Sequence, residues 1–199
     1  MLVNERFYSF LLKKNITIIS IIILFTSYFN SLKAIEKISI INNFNSSETL
    51  KFNFTQKSFD KNEKGVCFLK RPYFLKCLYN DKNQKELIIN NRVLVIYHKR
   101  YKKVYRYPVS KSFFIDILNK EKFSKLISNG ESLQNKDFFE IKYLDEKRGE
   151  ITFFFNKEDY NLNGWRLVDI NSNVTILKIE NLIKNSVIER NFFLIPDEN

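Results

Sequence analysis

The sequence predicts an α+β fold that is mainly β, in which a strongly curved antiparallel sheet of about eleven strands wraps around a few helices. Apolar and polar residues alternate with a period of two over most of the chain after residue 47, as in strands that bury one face. Helical spacing of apolar residues is confined to two segments, 35–44 and 110–127. So many strands with so few helices pack poorly as a small sandwich, which favours a sheet that curls around the helices.

The elements follow from the spacing of apolar residues. Ile35, Ile38, Ile41 and Phe44 recur at helical intervals and predict a short amphipathic helix. Residues 62–65, rich in polar residues and ending in glycine, predict a turn. The segment 110–127 predicts one or two short helices. The predicted strands are 50–55, 66–70, 74–79, 86–89, 93–97, 104–109, 138–144, 150–156, 165–170, 174–182 and 188–195.

Composition indicates a folded protein and narrows its function. The 199 residues are 44% hydrophobic and 16% aromatic, enough for a sizeable core. The chain has one histidine and lacks the GxSxG, HExxH and GxxxxGK[ST] motifs. We therefore expect no enzyme, no metal and no other cofactor. The net charge of +11 favours anionic partners, although lysines spread over polar faces would produce the same charge.

Residues 1–34 predict a signal peptide, with residues 35–199 as one exported domain. Arg6, Lys13 and Lys14 precede an apolar run at 16–29, which is short of the ~20 residues that a transmembrane helix needs. No cysteine follows the run until Cys67, so we expect no lipidation and a soluble product. An uncleaved membrane anchor is the alternative.

Cys67 and Cys77 flank the predicted turn around Pro72 symmetrically. In an antiparallel hairpin centred there, the two side chains face each other within reach of a disulfide, and an oxidising compartment permits the bond. Two unbonded cysteines in an apolar core are the other interpretation.

A basic run with interleaved tyrosines occupies residues 97–106. Such a pattern is found in grooves for single-stranded nucleic acid and equally at the solvated tip of a hairpin. Because export disfavours nucleic acid, the functional interpretation is contact with anionic lipid headgroups or an acidic protein face. Its candidate contact residues are Lys99, Arg100, Lys102 and Lys103.

Several short motifs recur in a fixed order along the chain. Phe54-Thr55-Gln56 is an F-x-Q motif, and Gly65 is followed by Leu69-Lys70-Arg71-Pro72. VLVIY at 93–97, PVS at 108–110 and WRLVD at 165–169 come after it. Together, across nearly all of the exported part, these motifs resemble the LolA family of periplasmic outer-membrane lipoprotein carriers.

This resemblance implies an incomplete β-barrel with helices forming a lid over an apolar cavity for lipoprotein acyl chains. The implied protein is a periplasmic monomer that binds no nucleic acid. Its implied partners are acylated lipoproteins, an inner-membrane ABC transporter, and an outer-membrane receptor or the outer membrane itself. Arg71 matches the family arginine that bonds to the lid backbone in the closed form. The implied cavity lining is Phe52, Phe54, Leu69, Leu75, Phe114 and Leu118. A membrane-tethered lipid-binding or interaction protein that uses the basic loop is the alternative.

Overall fold

The structure is a computed structural model that describes residues 35–133 and 135–196. The predicted signal peptide, residues 1–34, lies outside the described residues and stays a prediction. From Ser39 onward the chain forms one compact unit. In the described part of the chain, no helix has the length and hydropathy needed to cross a membrane.

One antiparallel sheet dominates the fold. Its strands are β1 Thr49–Ser58, β2 Lys61–Lys70, β3 Phe74–Tyr79, β4 Lys85–Asn90, β5 Val93–His98, β6 Lys103–Pro108, β7 Glu131–Leu133, β8 Phe138–Asp145, β9 Gly149–Asn156, β10 Leu162–Val168 and β11 Val174–Lys184. Two meanders, β1 to β6 and β7 to β11, are joined where β11 pairs with β1, and β6 and β7 form the two edges. The sheet is therefore not closed, and the predicted mainly-β fold is confirmed.

The strands form because their side chains alternate between a buried and an exposed face. In β1, Leu50, Phe52 and Phe54 are at most 4% exposed, whereas Lys51 and Asn53 between them face solvent. Successive side chains of a strand point to opposite faces, so the apolar set of each strand lies on one side of the sheet. The side chains on that side of the sheet belong to the main hydrophobic core.

Three α-helices in the described residues accompany the sheet: α1 over residues 35–45, α2 Phe114–Leu118 and α3 Lys120–Asn129. Asn119 caps α3, since its side chain accepts a hydrogen bond from the peptide N–H of Lys122. Phe123 of α3 is fully buried, and its ring centroid lies 3.9 Å from that of Phe44 at the end of α1. Helices and sheet thus share the main core.

The predicted last strand, residues 188–195, is wrong. The segment contains a short 3-10 helix, Arg190–Phe193, and packs on the face of the sheet opposite the main core. Phe193 is fully buried there with its ring centroid 5.6 Å from that of Phe74, and the side chain of Asn90 donates to the carbonyl of Phe193. The eleventh strand is β7 instead, whose three residues are too few for an alternation pattern to show.

The predicted turn at 62–65 is also wrong, because these residues lie inside β2 and the chain turns at Phe59-Asp60. Gly65 serves close packing in the strand. A Cβ atom there would lie 2.8 Å from the ring of Phe54 and 2.1 Å from a backbone carbonyl oxygen. The missing side chain lets Phe54 contact Tyr79 across β2, with ring centroids 5.0 Å apart.

Candidate functional site

An apolar cavity of about 270 Å³ lies between the core-facing side of the sheet and the helices. Strands β1 to β5 form one part of its wall, β10 and β11 another, and α2 together with the end of α1 covers it. Phe114 of α2 contacts Trp165 of β10 edge to face, with ring centroids 6.3 Å apart. The aromatic side chains of sheet and helix therefore meet over the cavity.

Of the six side chains predicted to line an acyl cavity, five lie in the wall of this cavity: Phe52, Leu69, Leu75, Phe114 and Leu118. The sixth, Phe54, is 2% exposed and packs on Tyr79. Sequence reasoning missed Phe44 from α1, Trp165 from β10 and Leu177 from β11, which also form the wall. The alternation of apolar and polar residues within β10 and β11 shows which side chains face the core. Only the pairing of β11 with β1, however, brings these two strands to the cavity.

The strand register arranges the core-facing side chains of β1 to β5 in rows that cross the sheet, and most of these side chains line the cavity. The first row is Leu50, Leu69, Leu75, Ile89 and Leu94, and the second is Phe52, Cys67, Cys77, Leu87 and Ile96. Cys67 and Cys77 lie directly opposite each other and form a disulfide. The bond thus belongs to the cavity wall, where it joins β2 to β3.

The third row contains Tyr79, and the fourth contains Gln56 and Glu63. We call these three residues, together with Lys85, the polar end. The Tyr79 hydroxyl donates to Gln56 Oε1 at 3.3 Å. The Lys85 ammonium lies 3.8 Å from the centroid of the Tyr79 ring and forms an ion pair with Glu63. Burial raises the pKa of Tyr79, and the nearby carboxylates of Glu63 and Asp81 raise it further. The hydroxyl therefore stays a hydrogen-bond donor at neutral pH.

Arg71 lies at the other end of the cavity, in the turn between β2 and β3, and is 7% exposed. Its Nη1 donates to the carbonyl oxygen of Phe44 at 3.0 Å and to that of Ser47, and its guanidinium lies 4.2 Å from the centroid of the Phe44 ring. Burial lowers the pKa of Arg71 to about 10, against the opposing effect of Glu48. The charged side chain thus holds the C-terminal end of α1, which covers the cavity.

A second arginine, Arg148 in the turn between β8 and β9, holds α2, and sequence reasoning missed it. Its guanidinium forms ion pairs with Asp116 of α2 and, at 2.8 Å, with Asp145. It also lies 4.4 Å from the centroid of the Phe113 ring. The hydrogen bond from Arg148 lowers the pKa of Asp145. Nothing in the sequence pairs Arg148 with Asp116, which is 32 residues away.

The predicted basic contact residues, Lys99, Arg100, Lys102 and Lys103, are exposed in and beside the turn between β5 and β6. Tyr101 is 56%, Tyr105 44% and Tyr107 48% exposed. Tyr105 and Tyr107 pair with Ile96 and Leu94, so they extend the core-facing side of the sheet at its edge. Within residues 35–133 and 135–196, no three His, Cys, Asp or Glu side chains come together as metal ligands would.

Comparisons with known proteins agree with this architecture. A family model described as "Outer membrane lipoprotein carrier protein LolA" matches residues 45–196. An uncharacterised conserved protein from Thermus thermophilus has a similar structure, with a TM-score of 0.52 and 8% identity over 83% of this chain and 95% of that chain. This likeness supports the fold.

Two further solved structures are more distant. A LolA superfamily protein from Nitrosomonas europaea has a TM-score of 0.43 and 9% identity over 79% of this chain and 96% of that chain. The Pseudomonas aeruginosa MucA/MucB complex contains a chain with a TM-score of 0.48 and 8% identity, over 82% of this chain and 61% of that chain. A direct comparison with curated proteins finds no match.

Proposed function

Because this chain belongs to the LolA family, we propose that it is a periplasmic carrier of lipoproteins and not an enzyme. In this proposal the cavity holds the acyl chains of a lipoprotein, which the protein takes from an inner-membrane ABC transporter to the outer membrane. A receptor or the outer membrane itself accepts the lipoprotein, and the carrier works as a monomer. Export through the predicted signal peptide would bring it to the periplasm.

The observation that carries the proposal is the apolar cavity beneath helices that are held by polar contacts. Burying an acyl chain of about 16 carbons is worth roughly 12 kcal/mol, at ~0.8 kcal/mol for each CH₂. Such a ligand does not stay in water, so a carrier has to offer an apolar wall. The apolar side chains that line this cavity, among them Phe52, Leu69 and Leu75, form such a wall.

A carrier must also release its ligand. The cavity of about 270 Å³ is slightly smaller than the roughly 300–1,000 Å³ of typical ligand pockets, and in this proposal the covering helices move as the acyl chain enters. Any contact that favours the closed form then lowers the net affinity for the acyl chain. Arg71 makes such contacts with Phe44 and Ser47, which supports its role as the switch of the lid.

A transfer experiment tests the proposal. The purified protein is incubated with membranes that contain an acylated lipoprotein, its exporter and ATP, and the membranes are removed by centrifugation. We expect the lipoprotein in the soluble fraction, and Arg71→Leu should retain it longer when outer membranes are added. Arg92→Leu is the matched control, since it removes an exposed arginine near the same end of the sheet. If the lipoprotein never leaves the membranes, the carrier function is refuted.

The exposed tyrosines and basic residues between β5 and β6 support a second candidate, a membrane-tethered protein that contacts anionic lipid or a partner through this hairpin. Lys and Arg near an anionic surface contribute about 1 kcal/mol each, and tyrosine is favoured at the membrane interface. Vesicle flotation tests it. Replacing Lys99, Arg100, Lys102 and Lys103 by glutamine should abolish binding to anionic vesicles, while lipoprotein loading stays unchanged. If wild type fails to float with anionic vesicles, this candidate is refuted.

A further inference from the structure

The polar end has hydrogen-bonding capacity that its own contacts leave poorly used. The Nε2 of Gln56 reaches Ser58 Oγ and Glu63 Oε2 only at 3.4 Å each. An N–H···O bond is usually about 2.7–3.2 Å long, so a carbonyl oxygen placed in the cavity would be a better acceptor. Gln56 belongs to the cavity wall, where such an oxygen can approach it.

Charge at the polar end is balanced. The ammonium of Lys85 is paired with Glu63, and the two side chains are only 18% and 20% exposed. A carboxylate or phosphate entering here would have to compete with Glu63 for this ammonium. A neutral carbonyl would not, and it could accept from Gln56 while the pair stays intact. The polar end therefore suits an ester or amide linkage better than an anionic head.

The cavity wall is long enough for one acyl chain. From Leu50 in the first row to Gln56 in the fourth there are six residue steps along β1, roughly 20 Å at ~3.3 Å for each residue. One leaflet of a bilayer, half of a hydrocarbon core of about 30 Å, accommodates an acyl chain in roughly 15 Å. A single chain can thus lie along the strand direction, with one end near Gln56 and the other near Phe44 and Arg71.

We propose that the polar end is a subsite for the ester or amide carbonyl of an acyl ligand, which lies with its carbonyl at Gln56 and its methyl end toward Arg71. This inference rests on the proposed function, because it specifies how the acyl chain lies in the same cavity. It also assigns a role to the F-x-Q motif, whose phenylalanine supports Tyr79 and whose glutamine holds the ligand.

The single tryptophan of the chain reports the orientation. Trp165 pairs with Leu177, and Leu177 pairs with Gln56, so the indole lies in the row of the polar end. Two monoacylglycerols are compared, one brominated next to the carbonyl and one next to the methyl end. We expect the first to quench the fluorescence of Trp165 at least twice as strongly. Equal or reversed quenching would overturn the orientation, whereas no quenching by either probe would overturn the proposed acyl binding as well.

Substitutions test the subsite itself, with monopalmitoylglycerol as the probe. Gln56→Leu should weaken its binding about three- to tenfold, as expected for one hydrogen bond, and Tyr79→Phe should weaken it less while it preserves the packing of the ring. Asn53→Leu is the control, since this residue faces outward from the same strand. Hexadecane, which has no carbonyl, should bind Gln56→Leu at least as tightly as wild type. Unchanged monopalmitoylglycerol binding in both variants would overturn the subsite.

Discussion

Replacing Arg71 by leucine should destabilise the empty protein and increase its affinity for an acyl ligand. The substitution leaves the carbonyl oxygens of Phe44 and Ser47 without their donor, which costs about 1–3 kcal/mol for each buried acceptor. It also removes the contact with the Phe44 ring at 4.2 Å, worth about 1 kcal/mol.

The loss of stability in Arg71→Leu is reduced because leucine is easier to bury than a charged guanidinium. Burial lowers the pKa of Arg71 from 12.5 to about 10. At 1.36 kcal/mol for each pKa unit, this change corresponds to roughly 3 kcal/mol of unfavourable desolvation. Leucine does not incur this cost. We therefore expect Arg71→Leu to lower the free energy of unfolding of the empty protein by about 2 kcal/mol.

The loaded protein should behave differently, because the lid has already moved and Arg71 has released its carbonyl partners. Urea unfolding is measured with and without monopalmitoylglycerol, and binding is measured by titration calorimetry. With ligand bound, the variant should unfold almost like wild type, and its affinity should rise by up to about 30-fold, the equivalent of 2 kcal/mol. Equal destabilisation of the empty and the loaded protein would refute the switch and leave Arg71 a purely structural residue. Arg92→Leu should change neither quantity.

Three more predictions concern stability. Gly65→Ala should lower the free energy of unfolding by about 1–3 kcal/mol through overpacking, measured by urea denaturation; a neutral effect would contradict the close contact at this glycine. Replacing both Cys67 and Cys77 by serine should cost about 2–3 kcal/mol, because the disulfide closes a loop of 10 residues, and a reducing agent should then affect wild type alone. Acid should weaken the link between Arg148 and Asp145. The pKa of that carboxyl is lowered below 3.8 in the folded state, so its contribution is present above pH 3.8 and is lost as the pH falls through the folded value. Asp145→Asn should accordingly lose less stability in this range, and the same acid sensitivity in both proteins would contradict the assignment.

Much of the sheet could be predicted from sequence because its signals are local. Alternation in β1 places Leu50, Phe52 and Phe54 on one face, and any strand with that pattern buries the same side. The pairing of Cys67 with Cys77 follows likewise from their equal distance to one turn. The predictions failed where a residue type that is typical of one local structure was present for a contact with residues distant in the sequence. Gly65 resembles a turn residue, yet it is a glycine because two rings on neighbouring strands meet over it.

The sequence by itself determined the mainly-β fold, the inward face of most strands and the resemblance to a carrier family, since each depends on residue order over short stretches. Only the tertiary structure decided that residues 190–193 pack as a 3-10 helix behind the sheet, that Arg148 holds Asp116, and that Gln56, Tyr79 and Lys85 converge at one end of the cavity. These contacts join residues far apart in the chain. Their energies depend on the register and curvature of the whole sheet, and no local pattern of residues encodes them.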